Sequence, residues 1–388
     1  MIERFFRDIA IAIIGAFLLV GCNAGRESFD VSRFTEEVYT PIYAKGFTIR
    51  HSAEDGATLI TVQNPWQGAE GVEKMLLIDP RGKFSTVTNA NLQRIEGEAA
   101  RIVCLSSSHI AMLDALGQTE RVVGVSGIDF ITNDYIVKNR DRIGDVGYDN
   151  NMNYELLIAL DADIVLLYGV KAENSIERKL YELGIPYLYI GEYVEQSPLG
   201  KAEWLITVAE ITGQRTEGIA QFKLIEQNYN SLLERVAQHI ANQPRPRVMI
   251  NTPYRDSWVL PPQHSYITTL VSDAGGDCYT SPGNGTASQP IDIEQALIYT
   301  ESADLWINVG GCNSLRELTD QNPRFAATAV VTKGLVYNNN ARRTPQGGSD
   351  FWESGVVRPD LILKDLTTIF HPDVMGEEHT LYYYKQLK

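Results

Sequence analysis

Residues 100–127 read ARIVCLSSSHIAMLDALGQTERVVGVSG and contain the pattern on which the fold depends. The apolar run IVCL is followed by serines, by an apolar helix pattern that stops at Gly117, and by a second apolar run, VVGV. Serine is a favoured N-cap, here Ser107 or Ser108, and glycine commonly follows the last turn of a helix. The stretch therefore predicts a strand, a helix and a second strand. The same alternation continues through DIVLLY at 163–168 and YLYI at 187–190, which indicates a parallel sheet with helical crossovers.

A long helix pattern separates this series from a second one. Residues 216–242 contain no proline and place apolar side chains at three- and four-residue steps, which predicts one amphipathic helix. Pro244 and Pro246 end it. The strand patterns VMIN at 248–251 and DLWINV at 304–309 follow, and a last helix is predicted at about 350–370. We predict the α/β class, with one lobe at 99–213, a connecting helix at 214–243 and a second lobe at 244–388.

The first residues carry a secretion-signal pattern. Residues 9–20 form an apolar run that is too short for a membrane span of about 20 residues but suits the core of a signal peptide. The run leads to Leu19, Val20, Gly21 and Cys22, a sequence that resembles the lipobox of bacterial lipoproteins. We predict a signal peptide at 1–21, lipidation of Cys22, and a body tethered to a membrane by that lipid.

Residues 22–98 show a different pattern of polar and apolar residues. Polar and apolar residues alternate around FTIR at 47–50, TLITVQ at 58–63 and MLLID at 75–79, with turn signals between them. This alternation predicts β-hairpins. We therefore predict a β-rich extension that packs on the first lobe.

The amino-acid composition limits the kinds of partner that the chain can bind. The chain has 34 basic and 49 acidic side chains, so its net charge is −15, and it has no run of Lys and Arg. This charge argues against nucleic-acid binding, because phosphate neutralisation needs clustered basic residues. Three cysteines follow Cys22: Cys104 lies in an apolar run and is predicted to be buried, whereas a disulfide between Cys278 and Cys312 is left open.

The two halves repeat one unit. Asn153 and Glu155 begin a helix pattern that leads to ADIVL, and Asp292 and Glu294 begin another that leads to ADLWI. A carboxylate in the first turn is favoured by the helix dipole, so helix capping is the simplest role for each Glu.

Taken together, these motifs resemble a known family, the substrate-binding lipoproteins of bacterial ABC importers for iron siderophores, haem and cobalamin. The resemblance runs from about 101 to 372 and is carried by residues 100–127, by NYELLIALDADIVLLYG at 153–169, by PLGKAEWLITVAEITG at 198–213 and by GGSDFWESGVVRPDLILKDLTTIFHP at 347–372. It implies two Rossmann-like lobes bridged by a helical backbone, little lobe motion and a ligand held between the lobes. It also implies that Glu155 and Glu294 dock on arginines of an ABC permease in the inner membrane.

In such a fold, loops at the carboxyl ends of the strands line the cleft. These loops are rich in aromatic side chains and Arg, which suit a large, partly apolar, anionic chelate. From them we predict a set of ligand-binding residues: His109, Tyr168, Lys171, Tyr254, Arg255, Trp258, Arg342, Arg343 and Trp352. The same loops also contain Phe130, Tyr148, Tyr193, His264 and Tyr266.

The expected function is that of a monomeric, non-enzymatic, lipid-anchored receptor in the periplasm. It would bind a transported metal chelate, most simply a ferric siderophore, and would need no other cofactor. Haem and cobalamin stay open as ligands, and so does the membrane that holds the anchor. A bare transition metal is a rival ligand, although the six histidines are scattered along the chain. A hydrolase is disfavoured because neither a G-x-S-x-G elbow nor a P-loop is present in the sequence.

Overall fold

The computed structural model describes residues 28–84, 90–148, 150–169, 175–253, 257–281, 288–375 and 379–388. The predicted signal peptide and Cys22 lie outside the described residues. Within these ranges the strands are Glu36–Tyr39 (β1), Phe47–Ser52 (β2), Ala57–Gln63 (β3), Glu73–Ile78 (β4), Leu92–Ile95 (β5), Ile102–Cys104 (β6), Val122–Val125 (β7), Gly144–Asp145 (β8), Ile164–Leu167 (β9), Tyr187–Tyr189 (β10), Arg247–Ile250 (β11), Ser257–Leu260 (β12), Asp277–Cys278 (β13), Gln289–Asp292 (β14), Leu305–Ile307 (β15), Val336–Asn338 (β16) and Lys385–Gln386 (β17).

The α-helices in the same ranges are Ser107–Ala115 (α1), Asp134–Lys138 (α2), Tyr154–Ala159 (α3), Ser175–Leu183 (α4), Pro198–Glu203 (α5), Leu205–Ile211 (α6), Arg215–Ile240 (α7), Tyr266–Asp273 (α8), Ile293–Ser302 (α9), Leu315–Gln321 (α10), Ala329–Thr332 (α11), Ser354–Val357 (α12), Pro359–Phe370 (α13) and Pro372–Met375 (α14).

The first lobe is built on a parallel sheet with the strand order β10-β9-β6-β7-β8. Strands β6 and β9 are buried along their whole length, as expected when helices cover both faces of a sheet. The N-cap of α1 is Ser106, whose side chain accepts the backbone N–H of Ser108. The cap therefore lies one residue before the predicted Ser107, because the helix itself begins at Ser107.

The second lobe has its own sheet, in the order β13-β11-β15-β16-β17. The first four strands are parallel, and β17 joins antiparallel to β16 near the end of the chain. Strands β12 and β14 form a separate antiparallel pair. The predicted pair of α/β lobes is confirmed.

The connecting helix is α7, which closely matches the predicted range of 216–242. One helix was predicted for 350–370, and that prediction is wrong: the segment forms a 3₁₀ turn at Asp350–Trp352, then α12, then α13. Pro359 has no N–H and disfavours the helical conformation at the residue before it, and Arg358 accordingly has φ −123° and ψ 53°. Helix α12 packs on α1 and α5 of the first lobe, and α13 packs on α7, so the C-terminal segment also joins the lobes.

Residues 36–95 form a third sheet, in the order β1-β2-β3-β4-β5, which is antiparallel except for the parallel pair of β4 and β5. Glu203 of α5 fixes the start of this sheet to the first lobe. Its buried carboxylate accepts the backbone N–H groups of Ile42, Tyr43 and Ala44 at 2.7, 2.8 and 2.6 Å and the hydroxyl of Tyr39 at 2.6 Å. Charge-assisted hydrogen bonds of this kind are stronger than neutral ones, so the sheet is held firmly.

Cys104 is buried, as predicted, and Cys278 and Cys312 are free thiols rather than a disulfide. Among the described residues, no helix is both long enough and apolar enough to cross a membrane.

Candidate functional site

The lobes touch near the carboxyl edge of the first sheet. Thr132, in the loop after β7, donates its backbone N–H to Glu353 Oε2 at 2.9 Å and its hydroxyl to Asp350 Oδ1 at 3.3 Å. Beside this contact, Gly348 lies so close to Phe130 that an added Cβ would be 1.8 Å from the Phe130 carbonyl oxygen. Only glycine fits there, so the contact depends on the absence of a side chain at position 348.

Exposed aromatic side chains surround this contact. Phe130, Tyr148 and Tyr193 follow β7, β8 and β10 of the first lobe, and Trp352 lies in the turn that precedes α12. The rings of Phe130 and Tyr148 are 6.5 Å apart, and that of Trp352, which is 53% exposed, is 6.5 Å from Tyr266 of the second lobe. Large flat apolar faces are thus available to a ligand at the edge where the lobes meet.

The two predicted arginines lie on the second-lobe side, and both are exposed. Arg342 Nε donates to Asp350 Oδ2 at 2.6 Å, and its guanidinium lies 4.5 Å from the ring centroid of Tyr382. Arg343 Nη1 donates to the Gly311 carbonyl at 3.3 Å. Because Asp350 neutralises part of the charge of Arg342, Arg343 is the stronger candidate for pairing with an anionic ligand.

A buried polar network lies beneath the aromatic side chains. Ser108 donates its hydroxyl to Glu192 Oε1 at 2.5 Å, and Lys201 Nζ donates to the carbonyls of Glu192 and Tyr193 at 2.7 and 3.2 Å. Lys201 Nζ also lies 5.2 Å from the ring centroid of Tyr266, across the lobe interface. Burial raises the pKa of Glu192 and lowers the pKa of Lys201, because both groups are removed from water.

Two atoms of this network have no hydrogen-bond partner among the described residues: Glu192 Oε2 and the hydroxyl of Tyr266. A buried polar atom without a partner costs free energy, so these two atoms lower the stability of the network.

The pKa of Glu353, at the lobe contact, is also shifted. Burial raises its pKa to about 7, and the nearby Asp350 adds to the rise, whereas the N–H of Thr132 opposes it. The carboxyl at this contact therefore titrates near neutral pH.

Two of the predicted ligand residues, His109 and Trp258, are buried. His109 is fully buried in α1, where burial lowers its pKa to about 3 and keeps the ring neutral. Trp258 is buried between Trp306 and Phe325, each 5.3 Å away between ring centroids, and its Nε1 donates to the Ile250 carbonyl at 2.8 Å. Trp258 belongs to the core of its own lobe, because the rings around it and its hydrogen-bond acceptor all lie in the second lobe.

Of the other predicted ligand residues, Arg342, Arg343 and Trp352 are exposed near the lobe contact, and the remaining four fall into two groups. Tyr168 is half-buried just after the carboxyl end of β9. Lys171, Tyr254 and Arg255 lie outside the described residues.

A cavity of about 420 Å³ lies between the N-terminal sheet, the loop after β10 and the second lobe. Its lining includes Lys45 and Gln63 from the N-terminal sheet, Gln196 from the first lobe and His264 from the second. His264 therefore faces this cavity rather than a cluster of metal ligands. Within the described ranges, no three His, Cys, Asp or Glu side chains converge as a metal site.

Sequence reasoning missed Glu192, Lys201 and Glu353. One signal for Lys201 was present: it lies in PLGKAEWLITVAEITG, where α5 and α6 are buried on all sides. A charged residue inside such a stretch needs buried partners. Glu192 and Glu353 lie at the edges of short elements, where the sequence pattern shows no periodicity.

Glu155 and Glu294 lie in the first turns of α3 and α9 and are exposed. Neither is the N-cap, because Asn153 and Asp292 accept the capping backbone N–H groups. The only described ion pair of Glu294 is a long one, 3.9 Å from Arg324 Nη1. Both carboxylates are therefore accessible to a partner.

Three comparisons with known proteins agree with this architecture. An uncharacterized lipoprotein of Methanocaldococcus jannaschii is 25% identical over 369 residues, which cover 88% of this chain and 84% of the relative. A periplasmic heme-binding protein from Pseudomonas aeruginosa aligns with a TM-score of 0.59 at 16% identity and covers 75% of this chain and 98% of its own. The vitamin B12-binding protein BtuF of Vibrio cholerae aligns with a TM-score of 0.51 at 16% identity over 70% of this chain and 96% of its own.

The structural matches show a shared fold with two lobes and a helical backbone. A family model described as periplasmic binding protein matches residues 102–339, which is more than half of the chain and includes the first lobe from β6, α7, and the second lobe as far as β16. The chain belongs to the periplasmic binding protein family.

Proposed function

We propose that this protein is the solute receptor of an ABC importer and captures an organic metal chelate, a ferric siderophore, between its lobes. The observation that carries the proposal is the set of exposed aromatic side chains at the lobe contact, with Arg343 beside it. Aromatic faces bury the planar or apolar parts of a chelate, and a guanidinium pairs with its anionic oxygens. The receptor performs no chemistry on its ligand.

Haem and cobalamin are the alternative ligands. The structural neighbours from Pseudomonas aeruginosa and Vibrio cholerae are named for binding heme and vitamin B12, and both ligands are large metal chelates. The aromatic surface formed by Phe130, Tyr148, Tyr193 and Trp352 suits each of these chelates, whereas Arg343 favours the anionic ones. A bare transition metal has less support, because the described residues offer no cluster of ligands for one.

The proposal includes delivery to a permease in the inner membrane. Glu155 and Glu294 are exposed on separate lobes and would meet basic side chains of the permease, which gives orientation and charge complementarity. A lipid on Cys22 would hold the receptor, as a monomer, at the membrane surface on the periplasmic side. The name lipoprotein of the Methanocaldococcus jannaschii relative supports such an anchor.

Tryptophan fluorescence gives a direct test of chelate binding, because only one of the five tryptophans is exposed at the lobe contact. Trp66, Trp204, Trp258 and Trp306 are buried, whereas Trp352 is 53% exposed beside the lobe contact. Ferric siderophores, haemin and cyanocobalamin are titrated separately into the soluble chain from residue 23, and tryptophan quenching is recorded. We expect saturable quenching by one chelate with a sub-micromolar Kd.

Tryptophan variants show which side chain the bound chelate quenches. Trp352→Phe should remove most of the quenching. Trp352→Ala, which removes the ring, should weaken binding about tenfold, since a buried aromatic contact contributes on the order of 1–2 kcal/mol. Trp66→Phe should leave both the quenching and the Kd unchanged. A folded protein that responds to none of the three chelates would contradict the proposed function.

A further inference from the structure

The cavity of about 420 Å³ takes part of its wall from a segment that the family model does not cover. Five of its eleven described lining residues lie in or beside the N-terminal sheet, between positions 43 and 64, whereas the family model begins at residue 102. The rest of the wall comes from residues 194–197, after β10, and from His264 and Thr269 of the second lobe. The cavity therefore depends on the N-terminal sheet and is not formed by the two lobes alone.

Hydrogen bonds within the protein hold this wall in place. Glu195 Oε1 accepts the backbone N–H groups of Lys45 and Gly46 at 2.8 and 3.1 Å. The same oxygen accepts the indole N–H of Trp204 at 3.1 Å. The Gly46 carbonyl accepts the backbone N–H of Gln63 at 2.8 Å, and a Cβ at Gly46 would lie 2.6 Å from the ring of Trp204. Because the wall is already ordered, less entropy is lost when a ligand binds.

The polar groups that remain free in the lining include both donors and acceptors. Among the described residues, the ammonium of Lys45, the carboxamide of Gln196 and the imidazole of His264 have no hydrogen-bond or ion-pair partner. Glu195 Oε2 accepts no hydrogen bond from the same residues. The hydroxyl of Ser197 accepts one backbone N–H and keeps its own proton to donate. A carboxamide and a neutral imidazole each donate and accept, so the lining does not favour one kind of partner group.

The charges and the size of the cavity narrow the class of ligand. One described lining residue is a cation and one is an anion, Lys45 and Glu195, so an anionic ligand would meet the carboxylate and a cationic one the ammonium. Hydroxyl groups both donate and accept hydrogen bonds without carrying charge, and they therefore suit this mixture. Val194 and Tyr43 add apolar surface for C–H groups. The volume lies within the range of about 300–1,000 Å³ that is usual for small-molecule sites.

We propose that this cavity is a second ligand site, for a neutral, hydroxyl-rich molecule no larger than a disaccharide. The described lining includes none of the four side chains of the aromatic surface, so the site is separate from the one that takes the chelate. The lining comes from the N-terminal sheet and from both lobes, so a bound saccharide ties the three parts together. The inference goes beyond the proposed function and does not rest on it.

Saturation-transfer NMR on the full chain in lipid nanodiscs tests the site. The neutral probes are glucose, trehalose, maltose, sucrose and myo-inositol, and the charged controls are glucuronate and glucosamine. We expect saturable transfer to at least one neutral probe with a Kd below about 1 mM, and weaker transfer to both charged controls. Transfer to none of the neutral probes, or tighter binding of a charged control, would overturn the proposal.

Matched variants show where the saccharide binds. Gln196→Leu and Lys45→Met remove exposed polar groups of the lining and should each weaken its binding about fivefold, as expected for the loss of one hydrogen bond. Gln238→Leu is the control, because Gln238 is exposed on α7 and does not line the cavity. All three variants should keep their melting temperature. Unchanged saccharide binding by both lining variants would overturn the assignment to this cavity.

The outcome for this site is separable from the outcome for the proposed function. The chelate identified by tryptophan quenching should bind Gln196→Leu and Lys45→Met with an unchanged Kd, and it should bind together with the saccharide. Displacement of the saccharide by the chelate would make the cavity an arm of the chelate site, which would overturn a second site and leave the receptor function standing.

Discussion

Glu353 is expected to make the protein less stable as the pH rises through neutrality. Burial raises the pKa of this carboxyl from its ordinary value of 4.5 to about 7 in the folded chain. Between these two values the folded state binds a proton that the unfolded state has released. The free energy of unfolding therefore falls with rising pH across this window, and the contribution is fully present only below pH 4.5.

The size of the effect follows from the two pKa values. Each pH unit between them corresponds to about 1.36 kcal/mol, so the whole window is worth about 3.4 kcal/mol. Between pH 5.5 and pH 8.0 the loss is about 2 kcal/mol. Glu353→Gln removes the titration but retains an acceptor for the N–H of Thr132, which makes the variant a close mimic of the protonated acid.

Urea unfolding of both proteins at pH 5.5, 6.5, 7.5 and 8.0 measures the effect. The free energy of unfolding of Glu353→Gln, minus that of the unchanged protein, should rise by about 2 kcal/mol from pH 5.5 to pH 8.0. Glu234→Gln is the control, because Glu234 is exposed on α7, and its difference should not vary with pH. A pH-independent difference for Glu353→Gln would show that this carboxyl titrates in its ordinary range and would refute the reasoning.

Three further predictions concern packing. Glu203→Ala leaves the backbone N–H groups of Ile42, Tyr43 and Ala44, in the loop after β1, without their acceptor and should lower the free energy of unfolding by about 3–5 kcal/mol in urea. Glu234→Ala should cost under about 0.5 kcal/mol. A small loss for Glu203→Ala would show that these hydrogen bonds contribute little. Gly348→Ala should separate the lobes and enlarge the radius of gyration in small-angle X-ray scattering, because its Cβ would lie 1.8 Å from a carbonyl oxygen of the first lobe. The control Gly311→Ala should leave the radius of gyration unchanged, because its Cβ meets nothing within 4 Å. Equal scattering profiles for the two variants would count against the lobe contact. Trp258→Phe should lower the melting temperature and leave the chelate Kd unchanged, since Trp258 is a core residue. A higher Kd in a folded variant would show that Trp258 belongs to the binding site.

Local sequence patterns were sufficient to predict the lobes and the helix between them. The apolar runs of β6 and β9 and the helix pattern that stops at Gly117 predicted the first lobe, and the three- and four-residue apolar steps predicted α7. These signals arise within single elements, because a strand or helix must direct its apolar residues to one side to be buried. Cys104 was predicted as buried for the same reason.

The candidate site depended on contacts between distant parts of the chain. Trp258 and Trp352 look alike as loop aromatics, but Trp258 is enclosed by Trp306 and Phe325 of its own lobe, whereas Trp352 is left exposed. The unexpected acid Glu353 meets Thr132 across 221 positions of sequence.

Local sequence patterns predicted the two α/β lobes, the helix between them and the repeated Glu-bearing helices. The exposure of each aromatic side chain, the burial of each acid and the place where the lobes touch became known only from the folded chain. Periodicity reports the inward face of one element, whereas the burial and pKa of a side chain depend on neighbours that chain folding brings from elsewhere.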